Sequence, residues 1–215
     1  MANSLQYANT QSLASLLQLE QLDTLDTMNC HQVGEIVSFN PDAQTAEVQI
    51  KMLRPFNGEL KQYPVLLDCP CVVLGGGKGR VTFPIEKGDS CLVLFNDKDF
   101  DNWFASGQSM PPRSPRMHSF SDAIALVGIR NKQNKISDYF TKGTELKYGS
   151  STIKLEDNKV TVTNGTANIV ISCGSITITG NVAIVGGFTV NGKNVSDTHT
   201  HGGVATGTGN TGVVN

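Results

Sequence analysis

The sequence predicts an all-β protein with one short N-terminal helix: a small closed barrel, then a stack of very short strands wound together from three copies of the chain. Three observations predict it. Apolar and polar residues alternate in short runs between residues 31 and 107, with turn residues between the runs. All eight prolines lie at or before Pro115, and beyond Lys147 the only aromatic residues are Tyr148 and Phe188. From there the chain is largely Gly, Thr, Val, Ile, Asn and Ser, with apolar pairs recurring every six to nine residues. The change in composition marks a domain boundary, with Met110-Pro111-Pro112-Arg113-Ser114-Pro115 as its hinge. The expected division is a helical segment over 1–30, a barrel over 31–110, a connector over 111–146 and a strand stack over 147–215, whose apex is 196–215.

Bulk properties exclude several classes. With 215 residues the chain has room for one large or two small domains. A formal net charge of -2 provides no basic field to recruit nucleic acid or anionic lipid. Runs such as Ile124-Ala125-Leu126-Val127 fall far short of the ~20 apolar residues of a spanning helix. The start, Met-Ala-Asn-Ser-Leu-Gln, has neither the basic region nor the apolar core of a secretion signal. Five cysteines without such a signal argue against a disulfide scaffold, so synthesis in the cytoplasm with reduced thiols is expected.

The helix is expected over residues 12–26, where Leu13, Leu16, Leu17, Leu19, Leu22 and Leu25 recur at spacings near three and four as one apolar stripe. It either packs on its own domain or serves as a docking or oligomer-forming element, since so short a helix is marginal alone. The alternating runs follow. Val33 to Phe39 and Ala46 to Ile50 flank Asn40-Pro41-Asp42 as a hairpin. Val65-Leu66-Leu67, Cys71 to Leu74, Arg80 to Phe83 and Cys91 to Phe95 supply further strands. Five or six strands in so short a stretch suit an OB-type barrel, with an SH3-like barrel as the competitor. Basic and aromatic residues are not interleaved along these strands as oligonucleotide binding would need, so the barrel is a scaffold.

The chemical motifs are weak until the C-terminus. Gly75-Gly76-Gly77-Lys78-Gly79-Arg80 resembles a phosphate loop, but Gly79 stands where a Ser or Thr should hold magnesium, and a strand follows instead of a helix. A glycine-rich loop between strands is expected there. Cys69-Pro70-Cys71 lacks a second ligand pair and predicts buried thiols, not zinc; Cys91 and Cys173 alternate with apolar neighbours and are expected in the core. His118, Ser119, Ser121 and Asp122 supply the atom types of a hydrolytic triad without a nucleophile elbow. Glu145 and Glu156 lack the context of paired glycosidase carboxylates. No enzymatic activity is expected.

The strand stack is more specific. The pairs Ile153/Leu155, Val160/Val162, Ile169/Ile171, Ile176/Ile178, Val182/Ile184 and Phe188/Val190 each present one apolar face, separated by turn residues. Strands so short hardly enclose a core within one chain. A single-chain solenoid would have only a few coils and two uncapped ends. Three chains wound about one axis bury each inward face against its copies and leave no free edges, so a homotrimeric β-helix is the preferred solution. The tail then carries His199-Thr200-His201, whose imidazoles fall on the same face of an extended strand. Two imidazoles from each of three converging chains give six nitrogens in an octahedral array.

At these residues the sequence resembles the central spike proteins of contractile-tailed phage baseplates, the membrane-puncturing needles. The resemblance runs from Val81-Thr82-Phe83-Pro84-Ile85-Glu86-Lys87-Gly88-Asp89 through Asp101-Asn102-Trp103-Phe104-Ala105-Ser106-Gly107 and Arg116-Met117-His118-Ser119-Phe120-Ser121-Asp122-Ala123. It ends in Val190-Asn191-Gly192-Lys193 and His199-Thr200-His201. It implies an OB-type base, a trimeric shaft, and an apex where His199 and His201 of each chain bind one iron ion per trimer. It also implies a structural virion protein at the baseplate tip, joined to the baseplate hub or tail tube and driven transiently through the host outer membrane. No nucleic acid or small-molecule substrate is implied. This chain departs from the pattern in residues 202–215, which follow the histidines and would fold back over the tip. The competing reading is a trimeric tail-fibre tip or adhesin binding a host receptor, but the lack of any aromatic residue after Phe188 favours piercing over recognition.

Overall fold

The computed structural model describes residues 13–196 and Gly207, and the chain divides into two units, Met1–Lys135 and Ile136–Asn215. The first begins with helix α1, Leu13–Thr27, which contains neither glycine nor proline. Its C-terminal threonines return hydrogen bonds to their own helix: the Thr24 and Thr27 hydroxyls donate to the Glu20 and Asp23 carbonyls, each at 2.8 Å. The leucines do not form the single stripe expected of them. Three residues advance ~300° around a helix, so each leucine of the three-residue series lags the last by ~60° and the apolar surface winds round the axis. None of the helix is buried, and its six leucines are 50–73% exposed.

Strand β1 (His31–Asn40) turns into β2 (Thr45–Ile50) as predicted, the Asn40 side chain accepting from the Asp42 and Ala43 amides at 3.0 and 3.2 Å. β3 (Leu53–Phe56) and β4 (Glu59–Gln62) form a hairpin about Asn57-Gly58, both at positive φ. Then come β5 (Leu66–Pro70) and the small hairpin β6 (Leu74–Gly76) and β7 (Gly79–Val81). The glycine-rich stretch is therefore a hairpin, as its sequence context indicates. β8 (Ser90–Phe95), helix α2 (Asp101–Ser106), a single 3₁₀ turn at Phe120–Asp122 and β9 (Ala123–Val127) complete the unit.

The main sheet runs β5-β2-β1-β8-β9, all neighbours antiparallel. Its two edges meet where Cys71 bridges Ala125 in parallel, the Val72 amide donating to the Ala125 carbonyl at 2.9 Å. A five-stranded Greek-key sheet whose first strand pairs with its second and fourth, closed by a parallel contact between its third and fifth strands, is the OB arrangement. The barrel encloses Ile36, Val48, Ile50, Leu66, Cys69, Cys91, Val93, Phe95 and Ala125. Curvature depends on Gly34, where a Cβ would lie 2.6 Å from Val48 Cγ1 and 2.8 Å from Val93 Cγ2, so β1 approaches both neighbours more closely than any side chain permits. The fifth strand lies beyond residue 110. The proline-rich stretch set as the hinge belongs inside the first unit, which ends only at Lys135.

The expectation for cysteine holds at Cys69 and Cys91, which are buried, and fails at Cys173, which is exposed in a turn at φ 49°. Its apolar neighbours alternate up to Ser172, but the chain reverses at Cys173-Gly174 and carries the thiol out. Burial pushes the Cys69 thiol up to about 12 and that of Cys91 to about 11, which keeps both protonated and unreactive at neutral pH.

The second unit is an antiparallel meander in sequence order: β10 (Gly143–Tyr148), β11 (Ser151–Glu156), β12 (Lys159–Thr163), β13 (Asn168–Ser172) and β14 (Ser175–Thr179). Asn158, Cys173 and Gly174 at positive φ permit two-residue turns, and Asn164 Oδ1 accepts from the Ala167 amide at 2.9 Å in the longer one. β15 (Thr189–Val190) and β16 (Lys193–Asn194) form a last minimal hairpin about Asn191-Gly192. Four of the six predicted apolar pairs lie in strands β11–β14. Val182/Ile184 forms no strand, and only Val190 of the pair Phe188/Val190 does so. β10 adds a strand that composition had assigned mostly to the connector.

Candidate assembly surface

Register turns the apolar pairs into two continuous ladders. Leu146 faces Ile153, Ile153 faces Val162, Val162 faces Ile169 and Ile169 faces Ile178. One step along, Leu155, Val160, Ile171 and Ile176 make a second row. Because side chains alternate across a strand, both rows occupy the same face. Within the chain that face is uncovered: the five residues of the first row are 42–53% exposed.

The opposite face is partnered within the chain. Lys154 pairs with Glu145 at 3.3 Å and lies 4.8 Å from the centre of the Phe140 ring. Lys147 pairs with Asp138, a contact that holds the Asp138 carboxyl below and the Lys147 ammonium above their ordinary ranges. Glu156 pairs with Lys159 at 3.6 Å. Glu145 and Glu156 are thus ion-pair partners and not a catalytic couple. One face carries these ion pairs, with the Thr152 and Thr161 hydroxyls buried there without a hydrogen-bond partner, and the other is a broad apolar strip open to water, which marks an interaction surface.

The triad atom types do not assemble. His118 Nδ1 faces the Asn29 carbonyl at 3.1 Å, and the Asn29 amide returns a 3.0 Å bond to the His118 carbonyl. Ser119 caps the 3₁₀ turn by accepting from the Ser121 amide. Asp122 is buried and held by Arg116, whose Nε and Nη2 lie 2.7 and 2.9 Å from its two oxygens. Nη2 also reaches Asp101 at 2.9 Å and Asp99 at 3.2 Å, and the Ser114 hydroxyl donates to Asp99 at 2.7 Å. Burial works against the Asp99 charge, but the Ser114 and Asp101 hydrogen bonds and Arg116 outweigh it and hold its carboxyl below the ordinary range. The three carboxylates are close enough together to hold a cation, and the Arg116 guanidinium among them is that cation. Sequence reasoning missed this clamp. It fastens the loop after the prolines to the start of α2 and to the 3₁₀ turn before β9, through residues between 99 and 122 that follow no periodic pattern.

His199 and His201, the proposed metal ligands, lie outside the described residues. The histidines that are described sit apart from any such group: His31 begins β1 and His118 is engaged with Asn29.

Among the described residues the chain thus combines a closed five-stranded barrel with a separate sheet that has one face uncovered. Residues 33–128, from β1 to just past β9, match the model of the phage protein Gp138 N-terminal domain. The match supports a phage protein with a structural role. No curated protein matches the chain.

Proposed function

We propose that the chain is the trimeric central spike of a contractile phage tail baseplate, which pierces the host outer membrane when the tail contracts. The observation that carries this reading is the double apolar ladder on β10–β14, uncovered in one chain; winding three copies about a common axis would bury it. Interwound chains share an axial load across lateral hydrogen bonds, and no chain leaves without disturbing the other two. The absence of proline after Pro115 keeps every backbone donor of the shaft available to those bonds. The barrels widen the base and join the hub or tail tube. Antibodies against the barrel, viewed by electron microscopy, should label the distal end of the baseplate. Labelling of the head, the sheath or the fibre tips alone would remove the spike reading.

On this reading His199 and His201 from three chains hold one iron ion at the apex. Six imidazole nitrogens suit iron(II) better than zinc, which usually takes four ligands. With every position filled by protein the ion is structural and closes the shaft against fraying. Elemental analysis of protein purified without a metal column should find close to one iron per three chains. Replacing both histidines by alanine should remove it and leave the barrel folded. Equal metal in the double variant, or none in the wild type, would dismiss the clamp. Coordination needs neutral imidazoles, so occupancy should fall as pH drops below ~6.

A further inference from the structure

Helix α1 is the largest feature that the spike reading leaves without a place. Its leucines divide into two arcs: Leu13, Leu16 and Leu17 lie within ~100° on one side, and Leu19, Leu22 and Leu25 within ~120° on the other. Around the axis Asp26 falls between Leu22 and Leu19 and Asp23 lies just beyond Leu19, and with Glu20 they are the only charged residues of the helix. The C-terminal half is therefore an apolar surface edged with uncompensated negative charge. Such a helix needs an apolar partner that carries positive charge.

The barrel offers one. Cross-strand pairing in hairpin β3–β4 places Arg54 opposite Lys61 and Phe56 opposite Glu59, so these four share a face. Arg54 and Lys61 lie 5.6 and 5.2 Å from the centre of the exposed Phe56 ring. Lys61 already pairs with Glu59 at 3.4 Å, whereas Arg54 makes no ion pair among the described residues and its Nε is buried without a hydrogen-bond partner, so the face keeps one uncompensated positive charge. Helix and hairpin issue from the same end of the barrel: Asn29, two residues after α1, is locked to His118, and the Lys51 amide donates to the Val33 carbonyl at 2.9 Å. Yet α1 leaves every one of its residues exposed in its own chain.

We propose that the Leu19–Leu22–Asp23–Asp26 surface of α1 docks on the Arg54–Phe56–Lys61 face of a second copy of this chain. A cyclic trimer requires each chain to meet its neighbours through two different surfaces, and helix and hairpin supply such a pair. The carboxylates of Asp23 and Asp26 meet the guanidinium and ammonium, and the leucines cover Phe56. This rests on the trimeric reading and adds a clasp at the base to the winding of the shaft.

The test is amide exchange on the purified full-length protein, with its mass measured in the same buffer. Residues 13–27 should exchange at least ~100-fold more slowly than an unstructured chain. Arg54→Glu with Lys61→Glu should abolish that protection, and adding Asp23→Lys with Asp26→Lys should restore it. A helix that exchanges freely in a protein of trimeric mass, or protection indifferent to the charge reversal, overturns the clasp and leaves the spike intact. A monomeric mass is a separate result that overturns the spike reading itself. Oxidation of a Leu22→Cys, Phe56→Cys variant should link separate chains on a denaturing gel, beyond what either single variant gives. A bond formed only within one chain would contradict a second copy as the partner.

Discussion

Ile178→Asp should yield insoluble or single-chain protein. Ile178 ends the first apolar ladder, paired to Ile169, and is 53% exposed in the isolated chain. If the chain worked alone, an aspartate there would be a surface substitution, worth within ~0.5 kcal/mol. If three copies bury the face, three carboxylates meet on a dry axis, and each ion costs several kcal/mol to desolvate before mutual repulsion is added. The two cases differ by enough to separate on a gel-filtration column. Thr177→Asp is the control, because Thr177 is exposed and faces the other side of the same strand. It should leave mass and melting close to wild type. An Ile178→Asp protein with wild-type mass and melting would show that the ladder faces solvent in the working protein.

Arg116→Met should be the most damaging single change in the barrel unit. It removes the only cation held among Asp99, Asp101 and Asp122, and leaves buried carboxylates without a counter-charge. A fall in melting temperature of about 10 °C or more is expected for a unit of this size. The pH dependence should also change sign. In the wild type the Asp99 carboxyl titrates below its unfolded range, so its contribution is present above pH ~4 and lost on acidification through the lower folded value. In the Met variant protonation relieves the unpaired charge, so stability should rise as pH falls towards ~4. Arg116→Lys should fall between the two, since an ammonium cannot take two oxygens of Asp122 side by side. Melting of the Met variant at the wild-type temperature at pH 7 would show that the clamp is not structural.

What sequence could reveal follows from how local each feature is. The β1–β2 hairpin, β8 and the strands of the meander announce themselves by two-residue alternation bounded by Asn, Asp and Gly. Ile153, Val162, Ile169 and Ile178 share one face of the sheet, as their two-residue alternation predicts. Hairpin β3–β4 was missed: its one local signal is Asn57-Gly58, and Pro55 and the polar Glu59, Lys61 and Gln62 hide its strands. β9 was missed as the closing strand because its partner, β8, lies some thirty residues earlier across the prolines; the pairing of Cys91 with Val127 leaves no local trace. The single leucine stripe failed on a matter of angle, because a spacing of three approximates the helical period but drifts steadily round the axis. The Arg116 clamp joins a loop, a helix start and a 3₁₀ turn, and no periodicity connects them.

The central claim is that three chains complete what one leaves open. The mass of the purified full-length protein by light scattering at micromolar concentration tests it most directly. The account predicts a stable particle of three 23.0 kDa chains, reduced in mass when the chain is cut before β10. A stable, soluble monomer of 23.0 kDa would contradict it, because the double ladder of β10–β14 would then be exposed to water in the native protein.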